Sequence, residues 1–517
     1  YALLAANVYR AAINVVPGEG SIRGIYYYKG LVYALRDNVA AGVGLWKSSS
    51  TGWVSVPLGI ELAFSAASGT PPAEGAIVNQ GVASAVVQRL VLETGTFAAG
   101  TAAGRLIVAS VTAGPFTGAA FGSGMTGTCV SQTAITIPNK GGRFEFITAN
   151  FTGSSNTLRM YGCDGANRAF EFDGTVFVFL NTGLGVNDKP LHIADHNHHL
   201  FLAYQSSALH SALGRPYSWT AISGAVEIAV SDTVTGFARQ PGSNSSPALA
   251  IYCRNHTYIL YGTDALTWSL VSYNDQAGAI PYSIQNIGQT FVLDDRGVTS
   301  LATATEFGNF LEATVSRRVQ SWFQAMRNML TSSQVSRDKQ QYRLFFSDGS
   351  AAYWTLGSKV AAMLPVVLPN RVLCNCSAEV YGGGEEVLFF GSDVGQVYQM
   401  ERGTSFDGEP IDARMELVFN NSKSYRVLKK YRRLTFELVG TGYAEFQSSY
   451  RLSYGSDEAA QPDSVAQVVD MTTTTLALSV NGDGQNIALQ ISMNSAYSSS
   501  LKFSGVFLEY SVLRQLR

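Results

Sequence analysis

Short runs of apolar and aromatic residues, broken by tight polar turns, recur along most of the chain. The segment 158–180 shows the pattern most cleanly. Leu158–Gly162, Arg168–Phe172 and Thr175–Leu180 alternate around the polar positions between them, and Asp173 with Gly174 supplies a hairpin turn. An Asp-Gly pair between alternating runs favours a hairpin because glycine tolerates the positive φ that the turn needs. This stretch predicts a three-stranded meander. Comparable units of apolar strand, Asp- or Gly-bearing turn and second strand occur at 24–38, 200–219, 258–273, 290–302, 342–356 and 387–401.

Their spacing, about thirty to about sixty residues, brackets the ~40–50 of a propeller blade. Radial four-stranded blades protect their edges, which gives a chain rich in short strands a reason to adopt them. A β-sandwich produces the same alternation, but the units outnumber what one sandwich holds. The expected fold is therefore all-β, a β-propeller with two departures. Residues 61–142 carry only six charged side chains in 82 positions and include alternating strands at Ala85–Leu92 and Arg105–Val111, which predicts an inserted, Gly- and Ala-rich small β domain. From 408 to 517, strands at Arg433–Val439, Ala444–Tyr450 and Ile487–Ser492 suggest a C-terminal β-sandwich. Residues 1–60 are then the first propeller strands, and 143–407 the remainder. One amphipathic helix is expected, because Val315, Val319, Trp322, Phe323, Met326 and Leu330 share one face at helical spacing.

Composition narrows the function classes. The 517 residues are 46% apolar and 14% charged, against roughly 25% charged in an average soluble protein. With 11% aromatics this is the opposite of a disordered composition. The length suffices for about three domains, and such a chain buries enough surface to need no disulfide or metal. Lys plus Arg is 36 and Asp plus Glu is 38, so the net charge of 36 − 38 = −2 argues against a generally basic nucleic-acid binder. The cysteines, Cys129, Cys163, Cys253, Cys374 and Cys376, are odd in number; Cys374 and Cys376 lie on one face of a strand and do not suit a mutual bridge. Buried thiols of a protein assembled in a reducing compartment are expected. No run of 18 apolar residues suggests a membrane span. The first residue is Tyr1 and no charged region precedes an apolar one, so a processed or incomplete start without a secretory signal is expected.

Candidate chemistry is sparse. His192, His196, His198 and His199 with Asp195 form the densest ligand-type cluster. Zinc needs three or four such groups converging tetrahedrally, and no second ligand pair sits at a recognisable spacing. A hairpin turn at Asp195–Asn197 with solvated imidazoles is preferred, and no metal or other cofactor is assigned. Gly122, Gly124 and Gly127 match GxGxxG, but the motif needs a following helix and here none is expected. Asp264 to Trp268 faintly resembles the Asp-box turn of sialidase propellers, without its glycine. Neither a GxSxG nor a Walker A loop is present, so no catalytic residue is nominated.

Lys423, Arg426, Lys429, Lys430, Arg432 and Arg433 form a cationic run with no acid among its eleven residues. Phosphate neutralisation would make it a nucleic-acid contact. A strand facing an acidic neighbouring subunit, or simply solvated, is the preferred reading, because aromatics do not interleave with the charges as a stacking platform requires.

The phrases GRPYSW at 214–219, NHTYILYGTD at 255–264, LDDRGVTSL at 293–301, QYRLFFSDG at 341–349 and FFGSDVGQVYQMERGTSFDG at 389–408 resemble tail proteins of tailed bacteriophages. More specifically, the chain is similar to the propeller-bearing tail hub or nozzle proteins of short-tailed phages, best over 140–450. That resemblance implies a structural virion protein and no enzyme. It implies a homo-oligomeric ring, usually a hexamer, below the portal and adaptor proteins, in contact with tail fibres or the tail tip. Genomic DNA is retained by the ring and leaves through its lumen at ejection. It also implies assembly in the host cytoplasm and a final location in the viral tail. A receptor-binding propeller adhesin and a glycan-cleaving propeller enzyme remain open alternatives; the latter needs two carboxylates a fixed distance apart.

Overall fold

Turn chemistry sets where the strands end. Asp173 Oδ1 accepts hydrogen bonds from Thr175 N at 2.8 Å and Val176 N at 2.7 Å, and Gly174 adopts a φ of 103°. The chain therefore reverses between Phe170–Phe172 and Phe177–Phe179, which pair antiparallel. Asp294 and Asp348 hold their turns in the same manner, through Arg296 N at 2.7 Å and Ser350 N at 2.9 Å. In this computed structural model such hairpins make the chain mostly β. The structure describes all residues except 1, 119, 123, 154–156, 241–247, 265, 302–314, 357–361, 380–384, 441–443, 453–459, 470–474, 496–500 and 516–517.

Two compact units are present, Ile13–Met400 and residues 2–12 with Glu401–Arg517. Among the described residues of the first, seven antiparallel sheets of three or four strands follow one another in chain order. Their first strands are Glu19–Tyr28, Glu145–Ala149, His192–His196, Val234–Arg239, Gln285–Ile287, Leu330–Ser336 and Val372–Glu379. Tyr26, Glu145, Ile193, Phe237, Gln285, Gln334 and Asn375, one from each first strand, line a single cavity.

Side chains on these first strands link each sheet to the next. Tyr26 Oη lies 2.8 Å from Thr148 Oγ1, and His192 Nδ1 lies 3.1 Å from Glu145 Oε2. Arg239 Nη2 donates to Asp195 at 2.7 Å, and Asn286 Nδ2 to the Arg239 carbonyl at 3.1 Å. Gln285 Nε2 donates to the Ser333 carbonyl at 3.1 Å, and Gln334 Nε2 to the Cys376 carbonyl at 2.8 Å. Finally the Cys374 thiol points at the Ile22 carbonyl, 3.6 Å away, which joins the seventh sheet to the first. All five cysteines are free and buried, and burial pushes the Cys374 thiol up to about 12.

A further five-stranded sheet, in the order Ile77–Gln80, Ala83–Thr94, Ala102–Val108, Ile60–Gly69 and Met125–Ala134, intervenes between the first and second sheets in sequence. One face buries Leu62, Phe64, Val87, Leu106 and Phe116 in a core of its own. Val91 and Ile107 from the other face join Leu35, Phe170 and Phe172 of the neighbouring sheets. Beside this apolar contact, Glu171 is fully buried and completely engaged. It accepts from Arg89 at 3.0 Å, Arg159 at 2.9 Å, Tyr161 at 3.1 Å and Tyr217 at 2.7 Å. A buried carboxylate is tolerated when paired and hydrogen-bonded to this extent.

In the second unit, Val427–Gly440 lies between Thr475–Gly484 and Leu501–Gln515, and a four-stranded sheet contains Ile411–Glu416, Ile487–Ser495, Ala444–Leu452 and Ala460–Val469. Leu434, Phe436 and Leu438 share a core with Phe446, Leu489 and Ile491.

Two local expectations need correction. The expected helix from Val315 to Leu330 is a seven-residue α-helix, Gln320–Met326, between 3-10 turns at Arg317–Val319 and Arg327–Met329; Leu330 already opens a strand. Strand pairing with Gln341–Phe346 takes over where the apolar periodicity alone would extend the helix. At the other end, residues expected as propeller strands form a helix, Ala2–Ile13, held by Arg10 to Asp407 at 2.8 Å.

The contact between the first and seventh sheets allows no added bulk at Gly391. A Cβ there would lie 2.7 Å from Ile22 Cγ2 and 2.8 Å from Cys374 Sγ. Gly391→Val is expected to destabilise the Ile13–Met400 unit by roughly 1–3 kcal/mol through overpacking. Chemical denaturation followed by tryptophan fluorescence should show a lower midpoint, whereas an unchanged midpoint would show that this contact is not made.

Candidate interaction site

The cationic run occupies the turn before Val427–Gly440 and the first half of that strand. A strand alternates its side chains between faces, and here the core-facing set is Tyr431, Leu434, Phe436 and Leu438. Both neighbouring strands show a register shift between Tyr431 and Arg433. Against Leu501–Gln515 the shift is a bulge with one extra residue on this strand, and Arg432 and Arg433 both face outward. Lys430 is also exposed, as are Lys423 and Arg426 in the preceding turn.

Lys429 is different. It is only 1% exposed, and its Nζ donates to the carbonyls of Asn421 at 2.9 Å, Ser424 at 2.6 Å and Gln485 at 2.9 Å, with Val427 O at 3.3 Å. The ammonium ties the turn at 421–427 to Gln485, and burial lowers its pKa from the ordinary lysine value. Lys429 was expected in the contact set, and the structure places it inside as a support for that set.

The remaining cations are open. Among the described residues no ion pair involves Lys423, Arg426, Lys430, Arg432 or Arg433. Arg426 Nε donates to the Tyr425 hydroxyl at 3.1 Å, and its guanidinium lies 5.4 Å from that ring. On the adjacent strand Phe507, 60% exposed, sits opposite Thr435, and Glu509 sits opposite Arg433. Tyr425 is 62% exposed. Tyr425 and the buried Tyr431 lie within the cationic run itself, contrary to the expectation that no aromatics interleave with it, and strand pairing brings Phe507 beside it from the adjacent strand.

The histidine cluster is divided by its hairpin. His196 pairs with His199, and Asn197 and His198 form the turn with φ of 46° and 59°. The turn is therefore one residue later than expected, and His192, His196 and His199 are buried; His198 alone is exposed. His199 Nδ1 lies 2.7 Å, and His210 Nδ1 2.8 Å, from the Ser211 carbonyl, so each Nδ1 carries the proton. Burial, aided by Arg239, lowers the His196 pKa to about 4; burial, aided by His199, does the same for His210. Among the described residues no three His, Cys, Asp or Glu side chains are placed to hold a metal.

The other two motifs resolve as turns. Gly122 N donates to the Asn79 carbonyl at 2.7 Å and the strand Met125–Ala134 follows, with no helix; Ser123 lies outside the described residues. Asp264 Oδ1 accepts from Leu266 N at 3.1 Å and Thr267 N at 3.0 Å, a turn of the Asx type, while Ala265 lies outside the described residues.

No protein-family model matches the chain, and no curated protein matches it in sequence. Among solved structures it is similar to Sqt1 of Chaetomium thermophilum, at 10% identity and a TM-score of 0.38 over 76% of this chain and 98% of that one. Sqt1 of Saccharomyces cerevisiae gives 11%, 0.36, 75% and 99%, and U3-55K gives 11%, 0.37, 74% and 92%. Likeness of this degree carries no inference about what the chain does.

Two outcomes follow from these environments. Lys429→Met removes the donor shared by several carbonyls and is expected to cost roughly 1–3 kcal/mol, while Lys430→Met on the open face stays within about 0.5 kcal/mol of the parent. Equal urea midpoints for the two variants would contradict the assignment. The buried histidines set a pH dependence. Between the unfolded value of 6.5 and the folded value of about 4, the unfolded chain binds more protons, so stability falls as pH drops through that window. His196→Gln and His210→Gln should each flatten the fall in thermal midpoint between pH 6.5 and 4.

Proposed function

We propose that this chain is a structural, non-enzymatic component of a bacteriophage tail, of the nozzle or hub kind, that assembles with copies of itself into a ring. In this reading the seven sheets are blades of a closed β-propeller. The five-stranded sheet is an inserted domain, and the two C-terminal sheets are a β-sandwich that meets neighbouring subunits. The propeller reading is supported by the cavity common to all seven first strands and by the side-chain links that run from each sheet to the next, the seventh to the first included.

The single observation that carries the assembly role is the set of cations on Val427–Gly440. Lys430, Arg432 and Arg433 are exposed without an ion-pair partner among the described residues, and a bulge doubles their density at one point. Glu509 stands across from Arg433 and Asp483 across from Lys430, with no ion pair in either case among the described residues, and an acidic partner surface would add close ion pairs that these positions lack. An acidic surface on a second copy or on an adaptor protein fits, because juxtaposed opposite charges steer and register an interface. Genome passage fits the near-neutral chain overall, since a wall basic throughout would hold phosphates through many salt-dependent contacts.

One observation favours a second reading of the same strand. Tyr425 and Phe507 lie exposed beside it, and exposed aromatics among cations suit a nucleic-acid surface. In that case the strand faces the DNA path of the ring.

Reversing Lys430, Arg432 and Arg433 together to Glu, with Lys429 retained, separates the two. The contact reading expects folded monomer, unchanged in thermal midpoint, and loss of tail assembly, measured by mass photometry and by the composition of purified particles. Normal particles with altered, salt-dependent genome ejection would support the DNA-facing reading. Normal assembly and normal ejection would remove both.

A further inference from the structure

The cavity shared by the seven first strands has a volume of about 420 Å³, within the range of small-molecule sites. Arg143, immediately before the first strand of the second sheet, contributes its guanidinium to the wall. Its Cζ lies 3.6 Å from the centroid of the Tyr282 ring, so the cation is stacked on an aromatic face. Stacking occupies one face of the group and leaves its N–H edges for acceptors.

Among the described residues those edges have no protein acceptor. Arg143 Nε is shielded from solvent and makes no hydrogen bond, and the side chain has no ion pair. The carboxylate in the same stretch of wall, Glu145, engages His192 through Oε2 at 3.1 Å. Asn375, from the seventh sheet, lines the same cavity, and its Nδ2 is also buried with no acceptor. Buried donors of this kind are costly unless something accepts from them. Two of them, one carrying a full positive charge, border one cavity.

We propose that the cavity binds a small oxyanion, a carboxylate or a phosphate. Arg143 is the principal anchor and Asn375 a second donor. A guanidinium presents parallel N–H groups whose spacing matches two oxygens of one anion, which a point charge such as lysine does not. Tyr282 fixes the plane of the fork. The site is independent of the cationic strand at 423–433 and of the tail assignment.

The test uses the whole purified chain with inorganic phosphate and citrate as separate probes, each titrated at an ionic strength held constant with sodium chloride. A saturable rise in thermal midpoint is expected with at least one of them, because a ligand that binds only the folded state stabilises it by mass action. The relative response to the two distinguishes phosphate from carboxylate. Arg143→Gln should weaken that response at least tenfold in midpoint concentration. Absence of a saturable rise with both probes, or an unchanged response in Arg143→Gln, overturns the proposal. A readout that needs no variant is the anomalous signal of selenate soaked into crystals of the unaltered protein. A peak within hydrogen-bond reach of Arg143 is expected; no peak in the cavity overturns the site.

Discussion

The contact of the seventh sheet with the first is the constraint on which the arrangement of Ile13–Met400 depends. Each sheet pairs its strands antiparallel, and the relation between sheets rests mainly on side chains, with a few backbone hydrogen bonds such as Phe144 N to the Arg23 carbonyl at 2.9 Å and Val16 N to the Gly395 carbonyl at 3.0 Å. Ile22, Ile25, Cys374 and Cys376 form one buried cluster there, and Gly391 allows it by having no side chain. Because the two partners are about 350 residues apart in the chain (|i−j| = 352 for Cys374 and Ile22), the contact is an entropically expensive one to form. Of the other six links, the one between the first and second sheets also spans the insertion (|i−j| = 122 for Tyr26 and Thr148), and the remaining five join sheets adjacent in sequence.

The insertion is secured by different physics. Its apolar underside, through Val91 and Ile107, would slide over the neighbouring sheets if hydrophobic contact were all that held it. Glu171 removes that freedom. Its two oxygens receive two arginines and two tyrosine hydroxyls, and Arg89 among them comes from the insertion itself. Arg105 adds a second tie, to Glu61 and Glu93 within the insertion and to the Phe179 carbonyl beyond it. A buried ion cluster is weak evidence for net stability, and here it joins the insertion to the second sheet at a fixed set of partners.

Local chemistry was legible in the sequence where it acts over a few residues. The turn at Asp173 and Gly174 announces itself by its residues, and alternation marks Ala85–Leu92 within the strand 83–94, most of the strand 102–108 as Arg105–Val111, the second half of 427–440 as Arg433–Val439, and Ala444–Tyr450 within 444–452. What depends on partners far away was not legible. Lys429 is indistinguishable from Lys430 in composition; the folding of the turn at 421–427 over its ammonium, with the return of Gln485, makes it an interior residue. The bulge at Tyr431 and Arg433 depends on two neighbouring strands. The helix at 320–326 ends early because Leu330 is recruited to a strand, which helical periodicity cannot register. Arg143 and Asn375 were missed altogether as site residues, since they are more than two hundred positions apart and meet only through the shared cavity.

We propose that the seven sheets form a propeller, with the seventh meeting the first at Ile22 and Cys374, and that copies of the chain join into a ring. A cryo-EM reconstruction of the assembled protein tests it most directly. The expected result is a closed ring of identical subunits around an open lumen. In each subunit the first and seventh sheets should be in contact, and the outward face of Val427–Gly440 should lie against a neighbour. A reconstruction showing only single copies, or subunits whose first and seventh sheets stand apart, would contradict it.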